Sequence, residues 1–306
     1  MYKKIVITLL ICSVSLFGFD YNLKPTKVSQ NVWCFFGKLE VPNNQNGGNM
    51  SNSCYVKTTD GYVLIDSGPT YKFAKQAYEA MSKIEKLPVK VVINTHDHDD
   101  HWLGNSFYKE KFNAKLIGVE LQEKNYKPGD KTRMFHLLNK DIVEGTKIVK
   151  LDEYVNEVKT LNIGNEEFTL VPIGTKAHTP EDIFVYMPKR KILFSGDLVM
   201  NGRVTSNRDG SVIGSLKALD MINSKKWDIL VAGHGFDTSK TATDEYVQYF
   251  TLLKQRIMKA VEDDVGADEV TNIIKMEEFK DKAMYDEVNS RNVFDAYGEL
   301  EFYEED

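Results

Sequence analysis

Residues 89–101 read VKVVINTHDHDDH. The first five are β-branched apart from one lysine, the signature of a short, mostly buried strand. The last seven, THDHDDH, hold three histidines and three aspartates. A buried strand that ends in so much ionisable chemistry is delivering ligands, and layered α/β folds gather ligands where strands end. Histidines at i and i+2 cannot share a helix face. His96 and His98 therefore belong on an irregular loop, where both imidazoles can reach one ion.

The flanking sequence has a matching organisation. Residues 28–40 suit a strand, and PNNQNGGN at 42–49 is turn chemistry. SCYVKTTDGYVLIDSG at 53–68 reads as a hairpin about an Asp-Gly turn. Phe73, Ala77, Met81 and Ile84 predict a helix over 71–86, with Thr70 as its N-cap. Next come a helix in GNSFYKEKF, a strand in AKLIGVE, and a polar helical stretch over 119–140 broken at Pro128-Gly129. EEFTLVPIG, EDIFVYMP and RKILFSGD read as strands, SVIGSLKALDMINSK as a helix and WDILVAGHG as a buried strand. Mixed strands and helices in this order announce a layered α/β domain with two similar halves.

Six histidines occur: His96, His98, His101, His136, His178 and His234. All but His136 stand at or just beyond strand ends. Three histidine nitrogens with an open fourth position make a common catalytic zinc site, and His96, His98 and His178 suit it. Asp100, His101 and His234 would make a second site, and Asp197, in FSGD, could bridge the two. An isolated His-x-His is a weak signal, but these motifs recurring at successive strand ends strengthen one another. Asp97 and Asp99 are expected to be spacers facing away.

The chain has 306 residues, 42% hydrophobic and 27% charged, enough for a large core. Its net charge of −6 argues against nucleic-acid or anionic-membrane partners. MYKKIVITLLICSVSLFGFD has the basic, apolar, cleavable layout of a secretory signal over 1–19, with an uncleaved anchor as the alternative. A cleaved signal implies a periplasmic or secreted protein with no membrane contact afterwards. Cys34 and Cys54 are then an even pair in an oxidising compartment, either bonded or two separate thiols. Residues 262–306 carry sixteen acids against four bases. Helical periodicity at Tyr246, Phe250, Leu253 and Ile257, and aromatics at Tyr285, Phe294, Tyr297, Phe302 and Tyr303, suggest that this tail docks. The expected division is a signal over 1–19, a catalytic domain over 20–243 and an acidic helical extension over 244–306.

HDHDDH, AHTPED, FSGD and AGHG, with LIDSG at 64–68, resemble the metallo-β-lactamase superfamily over about residues 28–240. NQNGGNMSN, HDHDDHWLGN, FSGDLVMNGRV and NVFDAYGELE are similar to its SoxH-like, quinoprotein-relay-associated metallohydrolases. The resemblance implies an αββα sandwich with the site at one edge between the sheets. It casts Asp66 as a support of the metal loop rather than a ligand. Asp197 stands where some zinc β-lactamases have a cysteine, and His101 is present, so the ligand set is closer to glyoxalase II. His98 departs from the His-x-Glu-x-Asp pattern of flavodiiron proteins.

The expectation is a binuclear hydrolase holding two zinc ions, with iron or manganese as alternatives. A water acidified toward ~7 between the ions would attack an ester, thioester, lactone or lactam carbonyl of a small-molecule substrate. Asp100 is the catalytic candidate, ligating and orienting that water, and Arg203 is the candidate carboxylate clamp. Fold does not fix substrate, so β-lactamase activity does not follow. The competing reading is a non-catalytic metal-binding accessory of a periplasmic redox pathway.

Overall fold

The computed structural model describes residues 18–304, so the expected signal lies outside the described residues apart from Gly18 and Phe19. Two sheets face each other. The first runs in chain order: β1 (Thr26–Ser29), β2 (Val32–Phe35), β3 (Ser53–Thr58), β4 (Gly61–Ile65), β5 (Val89–Ile93), β6 (Lys115–Gly118) and β7 (Glu153–Tyr154). The second comprises β8 (Lys159–Ile163), β9 (Glu166–Pro172), β10 (Ile183–Met187), β11 (Ile192–Met200) and β12 (Ile229–His234), in spatial order from β12 to β8.

Helices cover the outer faces. The first group is α1 (Tyr71–Ser82), α2 (Asp99–Trp102), α3 (Asn105–Phe112), α4 (Leu121–Asn125), α5 (Arg133–Leu137) and α6 (Lys140–Val143). The second is α7 (Val212–Asn223), α8 (Asp244–Glu262), α9 (Ala267–Ile273) and α10 (Tyr285–Leu300). This is the expected α/β sandwich with C-terminal helices. The two halves repeat a device: an antiparallel hairpin feeds a parallel crossover, β4–α1–β5 in one and β11–α7–β12 in the other.

Period-two burial builds the layers. Val63 and Ile65 of β4 point between the sheets, where they meet Phe168, Val185 and Phe194. Tyr62 and Leu64 point outward onto Phe73, Ala77 and Met81 of α1 and Phe107 of α3. Thr70 caps α1 by accepting from the Phe73 amide at 3.0 Å. Cys34 and Cys54 stand directly opposite each other on β2 and β3 and form a disulfide inside this inter-sheet core.

Three elements differ from expectation. The single strand over 28–40 is a hairpin, because Asn31 takes a left-handed conformation (φ +64°) between β1 and β2. β8 was not foreseen, because as an edge strand it is only half-buried. In the tail, Tyr297 docks and Tyr285 and Tyr303 pack partly buried against the same core, but Phe294 and Phe302 are exposed. Val293, Ala296 and Leu300 of α10 complete the packing against Tyr249, Phe250 and Leu253 of α8. Tyr246, Phe250, Leu253 and Ile257 do face the core. Among the described residues no helix is long and apolar enough to cross a membrane.

Asn52 ties the two sheets together at the ligand-bearing end. Its Nδ2 donates to Ala232 O (2.8 Å) and Gly235 O (2.9 Å), its Oδ1 accepts from Gly37 N (3.0 Å), and its own amide donates to Gly233 O (2.8 Å). Asn52→Ala leaves two carbonyls and one amide buried without these partners. We expect a loss of about 2–3 kcal/mol in denaturant unfolding.

Candidate metal centre

Every expected ligand arrives at the same end of the sandwich. β5 ends at Ile93, and the following loop with α2 carries His96, His98, Asp100 and His101. His178 lies in the connection from β9 to β10, Asp197 in β11, and His234 at the end of β12. Two glycines make the approach possible. Gly196 sits at a register shift in β11 with φ +54°, and an added Cβ would lie 2.6 Å from Thr95 Cβ. At Gly233 an added Cβ would lie 1.9 Å from Asp197 Oδ1.

The donors form two groups, each with its ligand atoms within 4.8 Å of one another: His96, His98, His178 and Asp197, then Asp100, His101 and His234. Asp197 reaches both. Its Oδ2 is 3.6 Å from His96 Nε2, 3.3 Å from His178 Nε2 and 3.2 Å from His234 Nε2; its Oδ1 is 3.2 Å from His101 Nε2. Asp100 Oδ2 is 3.5 Å from both His101 Nε2 and His234 Nε2. His136 lies apart on α5 and is exposed.

For His96, His101 and His234 the far side of the ring fixes the tautomer. His101 Nδ1 donates to Asp66 Oδ2 (2.8 Å), and His234 Nδ1 donates to Met50 O (2.7 Å), since neither oxygen can donate back. Thr95 Oγ1 donates to Asp66 Oδ2 (2.9 Å), so it accepts from His96 Nδ1 (3.0 Å). Asp66, held in a left-handed conformation (φ +55°), thus orients one ring in each group, His101 directly and His96 through Thr95. His98 is turned the other way. Its Nε2 faces Asp209 Oδ2 at 3.4 Å, leaving Nδ1 3.0 Å from His178 Nε2. Such outer partners set both the free nitrogen and its basicity.

Electrostatics follow from burial and crowding. Burial holds the His96 and His234 imidazoles below their ordinary range, which keeps lone pairs available. Burial alone would raise Asp197, yet His234, His101 and His96 hold it well below the usual carboxylate range. Burial likewise opposes Asp100, but His101, Arg133 and His234 bring it down to about 2. Against its own burial, His101 is pushed well up by Asp197, Asp66 and Asp100. Two buried carboxylates among five imidazoles require positive charge, and protons or metal ions can supply it. The donor atoms fit metal: His96 Nε2, His101 Nε2, Asp100 Oδ2 and Asp197 Oδ1 are buried without any hydrogen-bond partner, turned toward one another.

One sequence expectation changes. Asp97 and Asp99 turn away from both donor groups, as expected, but they are not mere spacers: both are buried and hydrogen-bonded. Asp97 Oδ2 accepts from Asn125 Nδ2 (2.6 Å), and Asp99 accepts from Arg133 Nη2 (2.8 Å) and Met134 N (2.9 Å). Each carboxylate ties down the connection between β6 and β7. Arg203 is buried beside His234, with Nη1 3.3 Å from a nitrogen already donating to Met50 and with Nε unpartnered.

The sequence reading missed Thr95, Arg133 and Asp209. Thr95 had a signal, standing immediately before His96; Arg133 and Asp209 had none, because their partners are far along the chain. Thr95→Val should weaken metal binding about 10-fold, the lower end for an outer partner. Thr95→Ser should restore it, as read by competition with a chelating dye.

The sequence profile of the metallo-beta-lactamase superfamily matches residues 46–234. The chain is 28% identical over 190 residues to metallo-beta-lactamase IND-1 of Chryseobacterium indologenes, covering 60% of this chain and 71% of that protein. It is 23% identical over 262 residues to a type 2 metallo-beta-lactamase of Elizabethkingia meningoseptica, covering 82% of this chain and 95% of that one. The fold is similar to the solved metallo-beta-lactamase from Pontibacter korlensis, with a TM-score of 0.59 at 22% identity, covering 75% of this chain and 99% of that structure.

Proposed function

The chain belongs to the metallo-beta-lactamase superfamily, and on that premise we propose that it is an exported, binuclear metal-dependent hydrolase of a small molecule bearing an ester, thioester, lactone or lactam carbonyl. The observation that carries this reading is the set of four buried, unpartnered donor atoms converging from β11 and the loop after β5. His96, His98 and His178 would hold one ion and Asp100, His101 and His234 the other, with Asp197 between them. Zinc suits this imidazole-rich set, and iron or manganese could occupy it. Bound ions would supply Lewis acidity, acidifying water toward ~7 and polarising the carbonyl.

The chain's own residues arrange the rest. Arg133 Nη2 holds Asp100 Oδ1 at 3.0 Å, so Oδ2 is the oxygen left to face inward. Asp66, Thr95 and Met50 keep three Nε2 lone pairs pointing into the site. His98 is the one ligand with a partly exposed side chain, at 19%, so substrate would enter on its side. The buried disulfide between Cys34 and Cys54 supports an oxidising compartment and hence export. The motif likeness to SoxH-like metallohydrolases, together with the C-terminal helices, supports kinship with that group.

The test is hydrolysis of a chromogenic cephalosporin, a panel of thioesters and a panel of lactones, with and without chelator. Turnover of at least one, lost on chelation and restored by zinc, is the expected result. A metal-replete protein that turned over none of them would favour the accessory reading.

A further inference from the structure

The connection from β11 to α7, residues 201–211, is held along one side by the C-terminal helices. Asn292 of α10 is fully buried. Its Oδ1 accepts from Asn207 N (2.9 Å), and its Nδ2 donates to Thr205 O (2.5 Å) and to Tyr249 Oη of α8 (2.8 Å). Two turns on, Glu299 accepts from Ser211 Oγ (2.5 Å), Val212 N (2.7 Å) and Ile213 N (3.2 Å), placing an anion at the start of α7. Just before α10, Ala283 exchanges backbone bonds with the connection, from Val204 N (2.8 Å) and to Gly202 O (3.2 Å).

The opposite side of the connection docks on the His178 turn. Ser211 N donates to Ala177 O at 2.8 Å, and a Cβ on Gly210 would lie 2.8 Å from that same oxygen. Between these anchors stands Asp209, 3.4 Å from His98 Nε2 and also bound by Arg208 Nε at 2.7 Å. His98 is the most exposed of the ligands, so packing restrains its ring least. Among the described residues, Asp209 is the one hydrogen-bond partner on the outer side of that ring, and its own position is set from α10.

We propose that α10 is a positioning element of the metal centre: Asn292 and Glu299 hold the 201–211 connection so that Asp209 keeps His98 Nδ1 turned toward His178. The inference rests on the metal-centre reading above. It gives the C-terminal helices, which lie beyond the matched residues 46–234, a part in the chemistry rather than in packing alone. Asn292 and Glu299 act through Asp209; neither touches a ligand.

The test is zinc titration of the metal-free full chain against a chelating dye, with the absorption spectrum of the cobalt-loaded protein as a second readout. Asp209→Ala should weaken one of two zinc equivalents about 10- to 100-fold. Asn292→Ala should weaken the same equivalent and shift the same cobalt bands. The double variant should be no weaker than Asp209→Ala alone, because both act along one route. Asn289→Ala is the helix control: one turn earlier, its Nδ2 donates to Lys275 O, away from the connection. It should lower the melting temperature and leave both affinities unchanged. Glu299→Gln keeps the side-chain shape and should weaken the same equivalent if Asn292→Ala fails to fold. Unchanged affinities in Asn292→Ala, or in Glu299→Gln where Asn292→Ala does not fold, additive losses in the double variant, or an equal loss in Asn289→Ala would overturn the proposal. A wild-type chain that takes up no zinc would instead overturn the metal-centre reading.

Discussion

Asp197→Ala should abolish hydrolysis more completely than any other single change, with turnover falling about 10³-fold or more. Asp197 is the one side chain within 3.6 Å of imidazole nitrogens in both ligand groups. Burial works against its charge, but the surrounding imidazoles keep it ionised, so a negative charge stands between the positions where two cations would lie. Without it, Asp100 alone would balance them. The transition-state stabilisation at stake in such a site is several kcal/mol, and about 4 kcal/mol corresponds to the stated loss. Bound zinc should fall from two equivalents toward one. Asp197→Asn keeps the shape without the charge and should lose nearly as much. Near-normal turnover in Asp197→Asn would show that charge between the groups is not what the site requires. Unfolding of the metal-free protein provides the control. The surrounding imidazoles hold Asp197 ionised in the metal-free fold too, and breaking such a buried pair from one side destabilises it. The metal-free variants should therefore unfold more easily than wild type, and zinc is counted at a temperature where they remain folded.

The ligand chemistry was legible because it is local. His96, His98, Asp100 and His101 fall within six residues; of the remaining ligands His178 follows β9, Asp197 lies within β11 and His234 closes β12. The Asp60-Gly61 turn and the Thr70 cap were legible for the same reason, since each is a short-range backbone requirement. What escaped was the ring of side chains behind the ligands. Arg133 is 33 residues from Asp100, Asp209 is 111 from His98, and Asn292 is 85 from Asn207. No local pattern marks such residues. An arginine on a short polar helix or an asparagine in an amphipathic one reads as solvated surface until the fold brings its partner. β8 and the split of 28–40 escaped because edge strands bury little, and a single asparagine can turn a chain without a glycine.

Asp99 shows what that gap costs. Read from sequence it is a spacer, and Asp99→Asn should be mild beside Asp100→Asn. The structure leads to a different expectation. Asp99 is 3% exposed, and its two oxygens hold the Arg133 guanidinium and the first turn of α5 through Met134 N. The same Arg133 nitrogen reaches Asp100 Oδ1 at 3.0 Å, so Asp99 anchors the group that restrains a metal ligand. Breaking a buried pair from one side costs ~3–5 kcal/mol. Asp99→Ala should lie near ~3 kcal/mol, because Arg133 keeps Asp100 and is itself about one-third exposed. Freed of Asp99, Arg133 can swing with α5, and Asp100 loses its fixed Oδ1 contact. Zinc affinity at the second group should then fall about 10-fold as well. Asp100→Asn should separate from this by the larger loss of zinc affinity, because it removes a donor outright; it also gives up the stability that His101, Arg133 and His234 lend the Asp100 charge. The decisive comparison is thermal unfolding of Asp99→Ala against wild type without metal. A midpoint for Asp99→Ala equal to wild type would mean that α5 is held by its apolar contacts alone, Met134 and Leu138 against Trp102, and that the carboxylate is the spacer it first resembled.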